Sequence, residues 1–151
     1  MATRAGRTVC VVLVVAAVAL SASAAFGSGW PGSTFSVSPS TGLVEGQQVK
    51  VKATGLRGFS GDPGRVVDVV ECRADAPDST HCAYINANGP STAQRVTATP
   101  GGTLNTRYPL VRQFWTEWEF VDCTQPPGCT IGLVDPTTTY LGPTTPIEFA
   151  P

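Results

Sequence analysis

Histidine is almost missing from this chain: among 151 residues only His81 carries an imidazole. Serine and cysteine nucleophiles need a histidine or an equivalent base beside them. His81 stands next to Cys82 with no nucleophile motif around it, so an enzyme of that type is not expected. Basic runs are missing too. Without Arg4 and Arg7, eight basic residues face eleven acidic ones, a net charge of −3. There is no Lys/Arg stripe, which excludes strong direct binding to nucleic acid. No glycine-rich phosphate loop occurs. Past the first 24 residues no segment has the roughly 20 apolar residues of a membrane span, and none reads as a long amphipathic helix.

One apolar run does occur, at the start. Arg4 and Arg7 precede Val9 to Leu20, and Ala22-Ser23-Ala24 follows as a small-x-small cleavage signal. The run is short for a membrane span and has the layout of a secretory signal. We expect a signal peptide over residues 1–24, cleaved after Ala24 or Ala25, and a soluble exported product free of membrane. Cys10 leaves with the signal. Residues 25–33 read as a flexible mature N-terminus with Trp30-Pro31 as an anchor, and residues 34–151 as one domain.

The domain reads as all-β. Short runs with alternating or β-branched character lie at Thr34–Ser38, Gln47–Ala53, Arg65–Cys72, His81–Ile85, Ala93–Thr99, Thr103–Val111, Thr116–Cys123, Thr130–Val134 and Ile147–Phe149. Pro39-Ser40-Thr41-Gly42, Asp62-Pro63-Gly64, Asn88-Gly89-Pro90 and Pro100-Gly101-Gly102 separate them as turn signals. Regularly spaced short strands in a chain of this size predict a β-sandwich. In Val49-Lys50-Val51-Lys52 the valines face the core and the lysines face water. Asp68 and Glu71 interrupt the valines of their run, either as polar groups of a binding cleft or as a solvated strand end. Trp118 reads as a core aromatic, and Phe114 and Trp115 as equally suited to core or cleft. Glu117 and Glu119 would share a strand face about 7 Å apart, near the glycosidase carboxylate separation. Nothing else supports catalysis, and surface solubility explains them better.

Four cysteines remain after export, Cys72 and Cys82 ten apart and Cys123 and Cys129 six apart. Outside the cytoplasm such thiols oxidise. Three connectivities are open. Local pairing closes the shortest loops, whereas a bridge between Cys72 and Cys123 would resemble the inter-sheet bridge of antibody domains. Zinc is not expected, because the spacings are not C-x₂-C knuckles and one histidine is available.

The order of several fragments resembles the neocarzinostatin family, the secreted apoproteins of enediyne chromoproteins. These are Val37-Ser38-Pro39-Ser40-Thr41-Gly42-Leu43, Glu45-Gly46, Val49-Lys50-Val51, Gly55-Leu56, Asp68-Val69 before Cys72, Trp118 ahead of Val121-Asp122-Cys123, Cys129-Thr130-Ile131-Gly132-Leu133, Gly142-Pro143 and Ile147-Glu148-Phe149. The likeness spans Thr34 to Phe149. It implies an immunoglobulin-like sandwich of seven strands with a small ribbon subdomain and two local disulfides, Cys72–Cys82 and Cys123–Cys129. It also implies a monomer with no required cofactor, which holds a small hydrophobic molecule without a covalent bond. In the family that molecule is an enediyne chromophore with antitumour and antibacterial action. DNA is reached only through the released ligand.

By the same resemblance, Asp68, Val70, Ala74, Thr80, Phe114, Thr130 and Val134 would line the ligand cleft. Most depart from the family's residues. Ala74 replaces a tryptophan, Thr80 a leucine, Val70 a glycine, and Thr130 and Val134 a glutamine and a serine. Asp68 is kept, and Phe114 or Trp115 takes the place of a cleft phenylalanine. The first loop also carries Arg73, Asp75, Asp78 and His81. A second reading is an exported sandwich that binds a protein or cell-surface polymer through a flat patch of Trp30, Tyr84, Tyr108 or Tyr140.

Overall fold

Alternation in the sequence becomes strand geometry most plainly at Gln48–Thr54, where Val49, Val51 and Ala53 are buried and the residues between them are exposed. A computed structural model describes Trp30 and residues 32–56, 65–83 and 92–151. Its strands are β1 (Thr34–Ser38), β2 (Gln48–Thr54), β3 (Val66–Arg73), β4 (Gln94–Thr97), β5 (Leu104–Pro109), β6 (Gln113–Trp115), β7 (Phe120–Asp122), β8 (Cys129–Val134) and β9 (Leu141–Ile147). One sheet has the order β1-β2-β5 and the other β4-β3-β8-β9, while β6 and β7 form a separate ribbon. Every pairing between named strands is antiparallel. The result is the expected immunoglobulin-like sandwich of seven strands with a small ribbon.

The core lies between the two sheets. Val49, Val51, Leu104 and Tyr108 come from one, and Val67, Val69, Ile131 and Leu133 from the other. Leu43 and Phe149 form an isolated parallel bridge that stitches the sheet edges, with Ala150 N donating to Leu43 O at 2.8 Å. The cysteines pair locally, Cys72 with Cys82 and Cys123 with Cys129. In the chain-entropy account each short loop so closed stabilises by roughly 2–3 kcal/mol.

Trp30 acts as the anchor expected of it. It is buried against Gly142 of β9, and the Arg65 guanidinium lies 4.4 Å above its ring. Arg65 also pairs with Asp135, just past β8. Burial pushes the Asp135 carboxyl up, but the Thr137 hydroxyl and amide, with Arg65, prevail and hold it below the usual carboxylate range.

Three expectations need correction. Thr116–Cys123 is not one strand. The Thr116 hydroxyl accepts from the amides of Trp118 (3.1 Å) and Glu119 (3.0 Å), and Thr116 N donates to Glu119 O at 2.8 Å. A side chain that captures local amides favours a turn over a ladder. Trp118 therefore stands 66% exposed at the ribbon tip and is no core aromatic, and Glu117 and Glu119 do not share a strand face. Second, the start of His81–Ile85 is not a strand. Ser79–His81 is a 3₁₀ turn capped by Asp78, whose carboxylate accepts from Thr80 N at 2.9 Å. Third, the last strand begins at Leu141 and ends at Ile147. Pro143 and Pro146 obscure it in the sequence, yet β9 is an edge strand, where proline is tolerated. The signal segment, Tyr84, and the turns Asp62-Pro63-Gly64 and Asn88-Gly89-Pro90 lie outside the described residues.

Gly55 shows how tightly the strand ends are folded together. Its φ is +72°, and a Cβ there would stand 2.6 Å from Gly32 O. Gly55→Ala should therefore destabilise the protein by about 1–3 kcal/mol, read as a lower urea midpoint at unchanged m-value.

Candidate ligand cleft

Residues directly opposite in an antiparallel pair share a face. Asp68 pairs with Val134, Val70 with Gly132, and Cys72 with Thr130. Those six share one face of the β3–β8 pair. Val69, Glu71, Ile131 and Leu133 share the other, which is the inner face: the Glu71 carboxylate accepts from Val111 N at 3.0 Å, just past β5. Asp68, Val70, Thr130 and Val134 thus lie on the outer face, away from the opposing sheet. All four are buried, with Val70 and Val134 at 0% exposure.

The outer face is apolar, with two polar points. Asp68 receives Arg95 Nε at 2.9 Å and Nη2 at 3.0 Å, so its buried carboxylate is paired from β4. Thr130 Oγ1 is buried and has no hydrogen-bond partner. Gly132 keeps the floor low, since a Cβ there would meet Leu141 Cδ1 at 2.9 Å and Thr144 Cγ2 at 3.1 Å.

The disulfide loop after β3 and the ribbon touch each other. Cys82 lies opposite Cys72 in an isolated bridge, and Ala83 N donates to Glu71 O at 2.8 Å. Ala74 is exposed and Thr80 half-buried on this loop. Glu117 N at the ribbon tip donates to Thr80 O at 3.3 Å. Arg73 Nη1 donates to both oxygens of Glu119, at 2.6 and 2.8 Å, and Arg73 also pairs with Asp75. Asp78 is held below the usual carboxylate range, first by the Thr80 hydroxyl and then by the Thr80 amide. Phe114 lies on the buried face of the ribbon opposite Val121. Trp115 and Phe120 occupy its other face, 44% and 48% exposed, with ring centroids 5.3 Å apart.

The predicted cleft residues therefore fall into three groups. Asp68, Val70, Thr130 and Val134 come together on the outer face of β3–β8, Ala74 and Thr80 lie on the disulfide loop, and Phe114 lies on the buried face of the ribbon. Sequence reasoning missed Leu141, Ser79 and Arg95. Arg95 was legible in principle, as a cation one strand away from an acid inside a valine run. The flat aromatic patch is not formed as expected: Trp30 and Tyr108 are buried, Tyr140 is 41% exposed, and Tyr84 lies outside the described residues.

The protein is similar to known ones in two comparisons. The model of the neocarzinostatin family matches residues 35–149. The solved structure of macromomycin is 30% identical with a TM-score of 0.58, over 78% of this chain and 99% of that one. The solution structure of apokedarcidin is 27% identical with a TM-score of 0.45, over 78% of this chain and 98% of that one. A search of curated proteins found no match. The chain belongs to the neocarzinostatin family, and that membership supports a chromophore-carrier role. Among the described residues no helix is long and apolar enough to cross a membrane.

Glu71, on the inner face beneath the cleft, is neither a cleft group nor a solvated strand end. Burial pushes its carboxyl up to about 8; the Val111 amide opposes this and the nearby Glu45 adds to it. The folded protein keeps a proton there that the unfolded chain releases above its ordinary value of 4.5. The stability it contributes is complete below that value. It falls as pH rises towards 8, by at most about 1.4 kcal/mol per pH unit. Glu71→Gln, which cannot ionise, should flatten this dependence. Melting temperatures measured from pH 4 to 9 should fall with pH in the wild type across that window and much less in the variant.

Proposed function

We propose that the protein is a secreted carrier that binds and shields one small hydrophobic molecule on the outer face of β3–β8. By family membership the ligand is an enediyne-type chromophore whose released form cleaves DNA, with the protein acting as a monomer and not as an enzyme. The observation that carries this reading is the unpartnered, buried Thr130 hydroxyl on a face where the other polar group, Asp68, is already paired with Arg95. A buried hydroxyl without a partner costs about 1–3 kcal/mol, and a ligand's hydrogen-bonding group would satisfy it. Apolar walls with a few polar points are what a small-molecule site needs to bury and orient its guest. Asp68, Val70, Ala74, Thr80, Phe114, Thr130 and Val134 would line the cleft. Val70, in place of the family's glycine, narrows it, so the guest differs in shape from the family's familiar chromophore. Residues 1–24 would be removed on export, leaving residues 25–33 ahead of the domain.

Native mass spectrometry of the protein from its producer's medium should find a co-purifying small molecule, and N-terminal sequencing should begin at Ala25 or Phe26. Repeated absence of any such molecule would remove the carrier reading. The reading that the sandwich binds a surface polymer would then rest on the exposed Trp115, Trp118 and Phe120. Thr130→Val gives a second test. Loss of the unpartnered hydroxyl should raise the stability of the ligand-free protein by about 1 kcal/mol while lowering affinity for the co-purified molecule about tenfold. Stability would be followed by thermal melts and affinity by titration calorimetry.

A further inference from the structure

The β3–β8 register places Arg73 opposite Cys129 and Asp68 opposite Val134. The chain therefore leaves β3, after Arg73, at one end of the sheet, and leaves β8, after Val134, at the other. Those ends are about five residues apart along the strands, roughly 17 Å at the usual rise. Yet Ser79, in the loop after β3, donates its hydroxyl to Thr139 O, in the loop after β8, at 2.6 Å. Such a contact requires chain from one end to fold back along the sheet. The inner face is occupied by the opposing sheet, so the fold-back lies over the outer face. This accounts for a second observation: Asp68, Val70, Thr130 and Val134 are buried although they face away from the core. Ser79 is itself buried.

The loop is braced within itself. Cys72–Cys82 ties its two ends together. Asp78 accepts from the Thr80 amide, and Cys82 N donates to Ser79 O at 3.2 Å, so the Ser79–His81 turn holds its own shape. Across the cleft, Thr139 has φ +55°, a left-handed conformation that is uncommon outside glycine. Thr139 N donates to Asp135 O at 2.8 Å, and this turn presents the carbonyl that receives Ser79.

We propose that residues 74–81 form a lid over the outer face, latched by the Ser79 hydroxyl on Thr139 O, and that a ligand reaches Val70, Thr130 and Val134 only after that latch opens. The proposal rests on the carrier reading for its ligand but not for the lid. The disulfide is the hinge and Ser79 the clasp. The guest is then a molecule flat enough to slide between a β-sheet and a stiff turn.

The test compares wild type, Ser79→Ala and Ser79→Thr, with 8-anilinonaphthalene-1-sulfonate as an aromatic probe. Hydrogen exchange at the Glu117 amide, which donates to Thr80 O of the lid at 3.3 Å, reports the lid, and stopped-flow fluorescence reports probe association. Ser79→Ala should exchange about five-fold faster, as loss of one hydrogen bond predicts, and should take up the probe correspondingly faster. Ser79→Thr should restore the wild-type rates. Near-UV circular dichroism must be the same for all three, so that general loosening is not read as lid opening. Faster exchange in Ser79→Ala without any probe binding upholds the lid and counts against the carrier. Probe binding at one common rate, with unchanged exchange, overturns the lid and leaves the carrier reading standing.

Discussion

Backbone pairing between β3 and β8 puts both strands in the middle of a four-stranded sheet, and each is then buried on two faces. Two-sided burial is the demand that organises the rest. The inner face is covered by the opposing sheet, through Val49, Val51, Leu104 and Tyr108. The outer face has no second sheet to cover it, so loops and the ribbon must do so. The position of the disulfide loop, the turn after β8 and the ribbon tip all follow from that need.

The same pair carries acids that strands of this kind rarely hold. Asp68 faces outward and is neutralised bidentately by Arg95, whose own side chain is 63% exposed. Such a pair keeps a buried carboxylate without placing both charges out of water. Glu71 faces inward, where no cation pairs with it among the hydrogen bonds and ion pairs described above. Burial raises its pKa to about 8 and so favours the protonated acid, whose carbonyl oxygen receives the Val111 amide at the root of the ribbon. One carboxyl is paired with a cation and the other is not, and their spacing of three residues puts them on opposite faces of β3. They interrupt the valine run for different physical reasons.

How much of this was legible depended on whether local pattern or distant contact decided the outcome. Val49-Lys50-Val51-Lys52 was readable because period-two alternation is local, and the family likeness supplied both disulfides. The Trp118 error came from the same rule: aromatics and acids alternate at 117–120 as in a strand, but the Thr116 hydroxyl captures the amides and bends the chain. β9 was hidden by prolines that only an edge position allows. On the floor, Asp68, Val70, Thr130 and Val134 were nameable from the likeness. That they would be covered was not, because Ser79 and Thr139 are 60 residues apart and nothing in either segment announces the other.

Trp30 precedes every strand, yet its ring lies under Arg65, and Arg65 reaches Asp135 where the chain leaves β8. The tryptophan also packs on Gly142 at the start of β9. The extreme N-terminal side of the domain is thereby wired to the β8–β9 hairpin. This sets a limit on proteolytic trimming. A cut that removed Trp30 would strip Arg65 of its aromatic support and slacken the hairpin. The hold of the chain's beginning on that hairpin is thus concentrated in one indole ring.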